Sequence, residues 1–294
     1  MSSGSTTESE TSGSGARTLT PMLRHYLEVK SEHPDALLFY RMGDFYELFF
    51  EDAEIAAPVL DVTLTARQKG TPSEAPMAGV PHHALEGYLG KALEAGFKVA
   101  ICDQVEDPAE AKGLVRREVT RVVTPGTVSE LELLDGKRAN LLAAIAWQGD
   151  EGAAALLDVS TGELRARRWT DVDLALDDLR RLRPREVLYA ESSLPPELLG
   201  WIESSGVCRS KLEREDVPSA RRARERLLEQ LGVASLGGFG LDDDEPAVVA
   251  AALALDYARD AARTELRHVT SLRLQEPEDL LVLDDTTVRL SLIH

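Results

Sequence analysis

The sequence predicts an α/β protein with about two domains. Its 294 residues suit about two domains of roughly 100–200 residues each. Buried-strand patterns alternate with stretches in which apolar residues recur every three or four positions, as they do in helices. A segment rich in turn-forming and acidic residues separates two such sets. The predicted divisions are a polar tail (1–19), a first domain (20–124), a linker (125–138), a second domain (139–268) and a C-terminal segment (269–294).

Composition limits the class of protein. Hydrophobic residues make up 43% of the chain and charged residues 29%, values that allow a real core. No apolar run approaches the roughly 20 residues of a membrane span, and the start lacks the apolar core of a signal peptide. Cys102 and Cys208 lie far apart, without metal-ligand spacing. We expect a reduced, cytoplasmic protein without a membrane partner or a metal.

The net charge of −18 argues against a protein that holds nucleic acid by bulk electrostatics, because phosphate affinity comes from Lys and Arg. Acidic residues also outnumber basic ones within 21–124. Any DNA binding therefore has to come from a few placed contacts, or from basic surface elsewhere in an assembly.

The first domain begins with clear helix and strand signals. Thr20 can cap a helix, Pro21 suits its first position, and Pro34 ends it. The apolar run 36–42 predicts a buried strand, followed by a turn at Gly43. Apolar residues at 48, 49, 55, 56, 59 and 60 predict a second helix from Phe45 to Leu60. Asp44 would be its N-cap, and Glu47 would complete a capping box.

Phe45 needs an explanation, because only 5% of the chain is aromatic and this ring follows a Gly-Asp turn. At the first position of the predicted helix, its side chain points away from the apolar stripe. Two alternatives remain: Phe45 packs against a neighbouring strand, or it contacts something outside the protein.

The segment 75–108 carries more turn and helix signals. We predict a turn over Pro76–Pro81, a helix over Leu85–Leu93 that Gly96 stops, and a strand over Lys98–Asp103. The pair His82-His83 could suggest a metal site with Cys102-Asp103. Adjacent histidines point in different directions on a helix or a strand, so we predict no metal there.

Long, collinear motifs in the chain resemble those of the MutS family of DNA mismatch-repair proteins. They include "TPMLRHYLEVKSEHPDALLFYRMGDFYELFFEDA" (20–53), "LDVTLTARQKG" (60–70), the segment 75–108 and "RVVTPGTV" (121–128). The likeness continues through "NLLAAI" (140–145), "LLDVSTGEL" (156–164), "RPREVLYAE" (183–191) and "LGGFGLDD" (236–243). It covers about residues 20–288, the part of the chain that corresponds to the N-terminal portion of a MutS.

The resemblance implies the roles of several residues. The Phe of the family's Gly-x-Phe-Tyr-Glu motif wedges into duplex DNA at a mismatch and its Glu hydrogen-bonds the mispaired base; these residues are Phe45 and Glu47 here. Arg67 matches a position that contacts the DNA backbone, and Met77 lies in the segment that approaches the duplex. Ala66 stands where relatives often carry a basic residue, and Lys69 is the candidate to compensate.

The resemblance also implies the architecture: a mixed-sheet mismatch-recognition domain, a ribonuclease-H-like connector domain, and the truncated start of an α-helical core domain (269–294). The sequence pattern of the second domain agrees, with three antiparallel strands (141–147, 153–159 and 163–169), then a helix, a strand at 186–190 and a helix at 195–203. A long Ala-rich helix is predicted over 246–266. Asp158 occupies a position where ribonuclease H enzymes hold metal, but no accompanying carboxylates are evident, so we predict no nuclease activity. The densest basic cluster, Arg221, Arg222, Arg224 and Arg226, lies on a helix between Ser219 and Gly232 and reads as a solvated face with Glu partners.

Cofactors and partners follow from the resemblance as well. Full-length members bind ATP and Mg²⁺ and dimerise through regions absent here. No Gly-x-x-x-x-Gly-Lys-Ser/Thr phosphate loop occurs in this sequence, so we expect neither ATP hydrolysis nor a cofactor in this chain. Expected partners are duplex DNA with mismatches or small insertion loops and a MutL-type repair protein. One hypothesis is a mismatch-sensing DNA-binding module of a larger clamp; the other is a fragment that acts only as a protein-interaction module through its connector domain.

Overall fold

Two mixed β-sheets with helices on both faces form the core of the chain. The computed structural model describes residues 19–106, 115–128, 139–241, 245–262 and 265–275. Nearly all of the predicted tail, most of the predicted linker and the residues after 275 lie outside the described residues. None of the described helices is long and apolar enough to cross a membrane.

The first sheet has the strand order β3-β4-β2-β1-β5-β6. Its strands are β1 (Ala36–Met42), β2 (Phe45–Phe49), β3 (Thr65–Arg67), β4 (Ala75–Pro81), β5 (Lys98–Gln104) and β6 (Arg117–Val123). The β1–β5 pair is parallel, and the other neighbours are antiparallel. Helix α1 (Pro21–Glu32) covers one face of this sheet. Helices α2 (Phe50–Leu60) and α3 (Leu85–Glu94) cover the other.

Helix α1 begins as predicted, because the Thr20 hydroxyl accepts a hydrogen bond from the backbone N–H of Leu23 at 3.3 Å. Its packing depends on the buried carboxylate of Asp52, which sequence analysis missed. Asp52 accepts hydrogen bonds from the Tyr26 hydroxyl at 2.8 Å and the Leu38 N–H at 3.0 Å, and it pairs with Lys30 at 2.8 Å. This one side chain therefore ties α1, β1 and α2 together.

The predicted helix from Phe45 to Leu60 is wrong over its first five residues, which form strand β2. Pairing with β1 on one side and β4 on the other satisfies the backbone of this stretch without a helix. The change to helix comes at Phe50, whose φ is 53°. Asp44 is therefore no N-cap and Glu47 completes no capping box. The N-cap position is Phe49, which makes no side-chain cap hydrogen bond.

The turn predicted over Pro76–Pro81 is also wrong, since these residues belong to strand β4. Prolines lack the N–H that a central strand needs, which favoured the turn. The structure places them near the two ends of the strand, and the neighbouring β3 is only three residues long. The predicted helix and strand that follow are confirmed as α3 and β5.

The second sheet has the order β11-β10-β7-β8-β9-β12. Its strands are β7 (Leu142–Gln148), β8 (Glu151–Asp158), β9 (Glu163–Trp169), β10 (Glu186–Ala190), β11 (Cys208–Leu212) and β12 (Leu272–Gln275). Helices α4 (Val172–Leu182) and α5 (Pro196–Ser204) pack on one face, and α6 (Ala220–Leu231) and α7 (Glu245–Ala262) pack on the other. The predicted three-stranded meander and the alternating elements after it are confirmed.

Two details differ near the end of the described chain. Helix α7 ends at Ala262 and not at 266, where Leu266 has a φ of 47°. Strand β12 then pairs in parallel with β9, so Leu272–Gln275 belongs to the second sheet. The predicted domain boundaries stay predictions, and the part of the predicted third domain (269–294) that follows residue 275 lies outside the described residues.

Candidate nucleic-acid interface

A tight hairpin between β1 and β2 carries Phe45 at its tip. Gly43 has a φ of 60°, a left-handed conformation that glycine adopts without strain, and Met42 pairs with Phe45 directly after the turn. The His82 N–H donates to the Asp44 carbonyl at 2.8 Å, which fixes the tip against the end of β4. The side chain of Phe45 is 48% exposed. Phe45 is therefore not a core residue.

Strand alternation explains this exposure. Tyr46 and Leu48 point into the core under α2 and α3, so Phe45, Glu47 and Phe49 share the opposite face. Tyr26 of α1 covers Phe49, with 5.1 Å between the ring centroids. Phe45 lies four residues towards the hairpin tip from that contact. This face of β2 is therefore buried under α1 at Phe49 and exposed to solvent at Phe45.

Glu47 lies between these ends and pairs with Arg67. The guanidinium NH1 is 2.6 Å from the carboxylate Oε2, and the Glu47 side chain is 17% exposed. The Arg67 Cζ also lies 5.8 Å from the centroid of the Phe49 ring. Burial raises the pKa of Glu47 above its ordinary value, and the charge and hydrogen bond of Arg67 oppose that rise. The Glu47 carboxylate is thus partly desolvated and held by one cation.

Strand β4, which pairs with β2, places no side chain next to Glu47. Its cross-strand partner is Gly79, which has no side chain, and a Cβ built there would come 3.9 Å from the Glu47 Cγ. Met77 is the partner of Phe49 and is half-buried against the cluster under α1. Met77 therefore lies on the same face as Phe45 and Glu47. On β4 it is two residues from Gly79, the partner of Glu47, in the direction away from the hairpin tip.

Lys69 lies apart from this group. It is exposed in the turn after β3, between Gln68 and Gly70, which both have positive φ. That turn joins the start of β4, whereas Phe45 pairs with Pro81 at the end of β4. Seven strand residues at about 3.3 Å each separate the two ends by roughly 20 Å. The structure places Phe45, Glu47 and Met77 on one face of the sheet and pairs Glu47 with Arg67, which, like Lys69, lies towards the end of β4 away from Phe45.

Sequence analysis missed the cation beside the hairpin tip. Arg41 binds the Gly43 carbonyl, and its guanidinium lies 5.4 Å from the centroid of the Tyr46 ring. The Tyr46 hydroxyl donates to Asp103 at 2.8 Å. Burial and the bond to Asp103 raise the pKa of Tyr46 well above its ordinary value. The register Arg41–Tyr46 would have revealed this contact, but only if β2 had been predicted as a strand.

The other candidates from the sequence have structural explanations. Asp158 shapes the β8–β9 turn, where it accepts hydrogen bonds from the Ser160 N–H at 3.0 Å and hydroxyl at 2.6 Å. Cys102 is buried, which raises the pKa of its thiol to about 12. Across the described ranges, no group of three His, Cys, Asp or Glu residues could hold a metal ion.

The fold and the site together define a class: a two-module α/β protein whose first module presents an exposed aromatic side chain beyond the part of a sheet face that α1 covers, with a half-buried carboxylate beside it. Comparison with known families is specific. Residues 20–132 match the family model for MutS domain I, and residues 140–270 match that for MutS domain II. The chain belongs to the MutS family of DNA mismatch-repair proteins and corresponds to the N-terminal portion of its members.

Individual relatives agree with the family models. The chain is 46% identical over 275 residues to the DNA mismatch repair protein MutS of Symbiobacterium thermophilum, covering 92% of this chain and 31% of that protein. It is 47% identical over 276 residues to that of Anaeromyxobacter sp. (strain Fw109-5), with 91% and 30% covered. It is 43% identical over 280 residues to the DNA mismatch repair protein MutS of Myxococcus xanthus, which covers 94% of this chain and 31% of that protein. The chain spans about a third of the length of these curated relatives.

Proposed function

We propose that this chain supplies the mismatch-reading module of a MutS assembly, with Phe45 as the wedge and Glu47 as the reader of the mispaired base. The observation that carries the proposal is the 48% exposure of Phe45 at a rigid hairpin tip, on the same strand face as Glu47. An apolar ring that fills no core and is held by a paired strand suits an external contact.

The wedge role follows from the energetics of the duplex. An apolar side chain inserted between base steps unstacks and kinks the DNA, at a cost of a few kcal/mol per step. A mismatched step has less pairing and stacking to lose, so insertion costs less there. Stacking on the ring returns about 1–3 kcal/mol per base whatever the base. Phe45 would therefore select deformable steps and not particular sequences.

Glu47 would add a second criterion. A carboxylate that faces a polyanion costs free energy unless the DNA offers it a hydrogen-bond donor. Glu47 is already partly desolvated, so it depends on such a donor or on Arg67. A mispaired base with a free N–H supplies the donor, and a paired base does not. The carboxylate thus penalises homoduplex DNA.

The remaining contacts of the proposal support the duplex around the wedge. Arg67 and Lys69 would contact the DNA backbone, and Met77 would approach the duplex from the neighbouring strand. Because acidic residues outnumber basic ones by 51 to 33, binding to fully paired DNA by this chain alone would be weak. Docking of a MutL-type partner on the second module, a cytoplasmic location and the lack of ATPase activity stay predictions.

Insertion can be tested by 2-aminopurine fluorescence, which rises when the base unstacks. The chain, joined to the remaining domains of a relative, is titrated with a duplex carrying 2-aminopurine beside a G·T mismatch. We expect a rise with the parent and with Leu27→Ala, which truncates another exposed apolar side chain (38% exposed) on α1. We expect the rise to be lost with Phe45→Ala. An equal rise with Phe45→Ala would overturn the wedge assignment.

A further inference from the structure

Glu186, at the start of β10, is a completely buried carboxylate that the proposed function does not use. It accepts four hydrogen bonds. The donors are the Ser210 and Tyr257 hydroxyls, each 2.5 Å from Oε1, and the Thr124 hydroxyl at 2.5 Å and the Gly126 N–H at 2.9 Å from Oε2. A buried carboxylate is stable only with such a full set of donors.

The two oxygens of Glu186 face different parts of the chain. Oε1 is bound within the second module, by Ser210 of β11 and Tyr257 of α7, whose hydroxyls are also 2.9 Å from each other. Oε2 is bound by the turn that follows β6, the last strand of the first sheet. The second module thus holds Oε1 of the carboxylate, and Oε2 faces the segment that follows the first module.

The turn at 124–127 is shaped to accept that oxygen. The Thr124 and Thr127 hydroxyls are 2.8 Å apart, and the Thr127 N–H donates to the Thr124 carbonyl at 3.1 Å, so the turn closes on itself. Both threonines are buried. A Cβ on Gly126 would come 2.7 Å from the Glu186 Cβ and 2.9 Å from its Oε2. Only glycine allows this approach.

We infer that Glu186 is a positioning residue that fastens the first module to the second through the 124–127 turn. Because detachment would remove both donors from one oxygen of a buried carboxylate, the turn cannot leave Glu186 without a large cost. The predicted linker therefore starts with an anchored segment, and the orientation of the β6 end relative to β10 is set there. This inference is independent of the proposed DNA reading, since it concerns the chain without any ligand.

The anchor is tested by the distance between the modules. Spin labels are placed at two exposed sites, through Glu51→Cys on α2 and Glu197→Cys on α5. Cys102 and Cys208 are buried and stay unlabelled. Electron–electron double resonance then gives the distance distribution in the parent, in Gly126→Ala and in Gly87→Ala. Gly87 is the matched control, because a Cβ there meets nothing within 4 Å.

We expect a narrow distribution in the parent and in Gly87→Ala, and a broadened or shifted one in Gly126→Ala with unchanged circular dichroism. Hydrogen exchange of the 126–127 amides should be at least about tenfold faster in Gly126→Ala, which is about 1.4 kcal/mol of lost protection. Thr124→Val, which removes one donor from the turn alone, should speed the same amides. A narrow distribution with protected amides in Gly126→Ala would overturn the inference, as would equal broadening in Gly87→Ala.

Discussion

The guanidinium of Arg67 lies 2.6 Å from the carboxylate of Glu47, so the two residues are partners in the free protein. Family resemblance gives them different targets, the DNA backbone for Arg67 and a mispaired base for Glu47. A phosphate that recruits Arg67 therefore competes with Glu47 for the same cation. Binding of DNA would leave Glu47 in greater need of a donor, which in the proposed function the mispaired base would supply.

Arg67→Gln should raise the pKa of Glu47 further. Burial already raises this pKa above its ordinary value of 4.5, and the Arg67 charge is the main influence that lowers it. The measurement is an NMR titration of the Glu47 side-chain carboxyl in the parent and the variant. An unchanged or lower pKa in Arg67→Gln would show that the ion pair does not form in solution.

The same raised pKa predicts how stability depends on pH. Because the folded state holds the Glu47 proton more tightly than the unfolded state, the stability it contributes is present below pH 4.5 and is lost as the pH rises through the folded pKa. Glu47→Gln removes this titration, so its stability relative to the parent should increase over that window. Urea melts at several pH values measure it, and a constant difference would contradict the expectation.

Glu47→Gln should strengthen binding to homoduplex DNA more than binding to mismatched DNA. Removing the charge removes the penalty for DNA without a donor, which is worth about 1–3 kcal/mol for a group left unpaired. Binding to G·T and G·C duplexes is compared in a chimera with a relative's remaining domains. Glu51→Gln, an exposed neighbour on α2, is the control and should leave the ratio unchanged.

Asp52→Ala should destabilise the first module by about 3–5 kcal/mol, because it removes the ion-pair partner of Lys30 and the carboxylate acceptor of the buried Tyr26 hydroxyl and Leu38 N–H. Glu54→Ala, exposed on the same helix, should stay within about 0.5 kcal/mol of the parent. Urea denaturation measures the free energy of unfolding of both variants and of the parent. Similar midpoints for the two would mean that the Asp52 network contributes little.

Binding of the isolated chain to homoduplex DNA should be weak and should fall steeply with added salt. The chain carries a net charge of −18 and few cations near the hairpin, so any affinity depends on a small number of phosphate contacts. Fluorescence anisotropy at rising salt measures this. Tight binding that resists salt would refute the charge argument.

Much of the fold could be predicted because the local signals agree with the tertiary structure. The Thr20 cap, the buried run of β1 and the meander of β7 to β9 were predicted from propensity and periodicity alone. Strand β2 was not, because Leu48 and Phe49 fit a helical period as well as a strand. The Gly43-Asp44 turn between β1 and β2 was a local hairpin signal, but it was interpreted as the start of a helix, and the pairing with β4, which is distant in sequence, leaves no local signal.

The site was predictable in part: the unusual position of Phe45 was evident from the sequence, whereas its role and that of Glu47 came only from family resemblance. Phe45 and Glu47 were named from a motif, but the pairing of Glu47 with Arg67 depends on the order β3-β4-β2. The buried carboxylates Asp52 and Glu186 were missed for a similar reason. Each lies in a helix or strand, where a charged residue is normally expected to be exposed to solvent. Its hydrogen-bond donors come from segments that are distant in sequence.

The central claim is that Phe45 is exposed for insertion into DNA and contributes little to the fold. Truncating a buried aromatic costs about 3–5 kcal/mol of stability, whereas truncating an exposed one usually costs less than about 1 kcal/mol. At 48% exposure Phe45 belongs to the second class.

The most direct test measures both properties of Phe45→Ala in the same chimera. Urea melts give its stability, and titrations with G·T and G·C duplexes give its mismatch preference, with Leu27→Ala as the control. We predict a stability change below about 1 kcal/mol and a loss of about 1–3 kcal/mol in mismatch preference, the value of one stacked base. A Phe45→Ala protein that melts early, yet prefers the mismatch as strongly as its parent, would contradict the account.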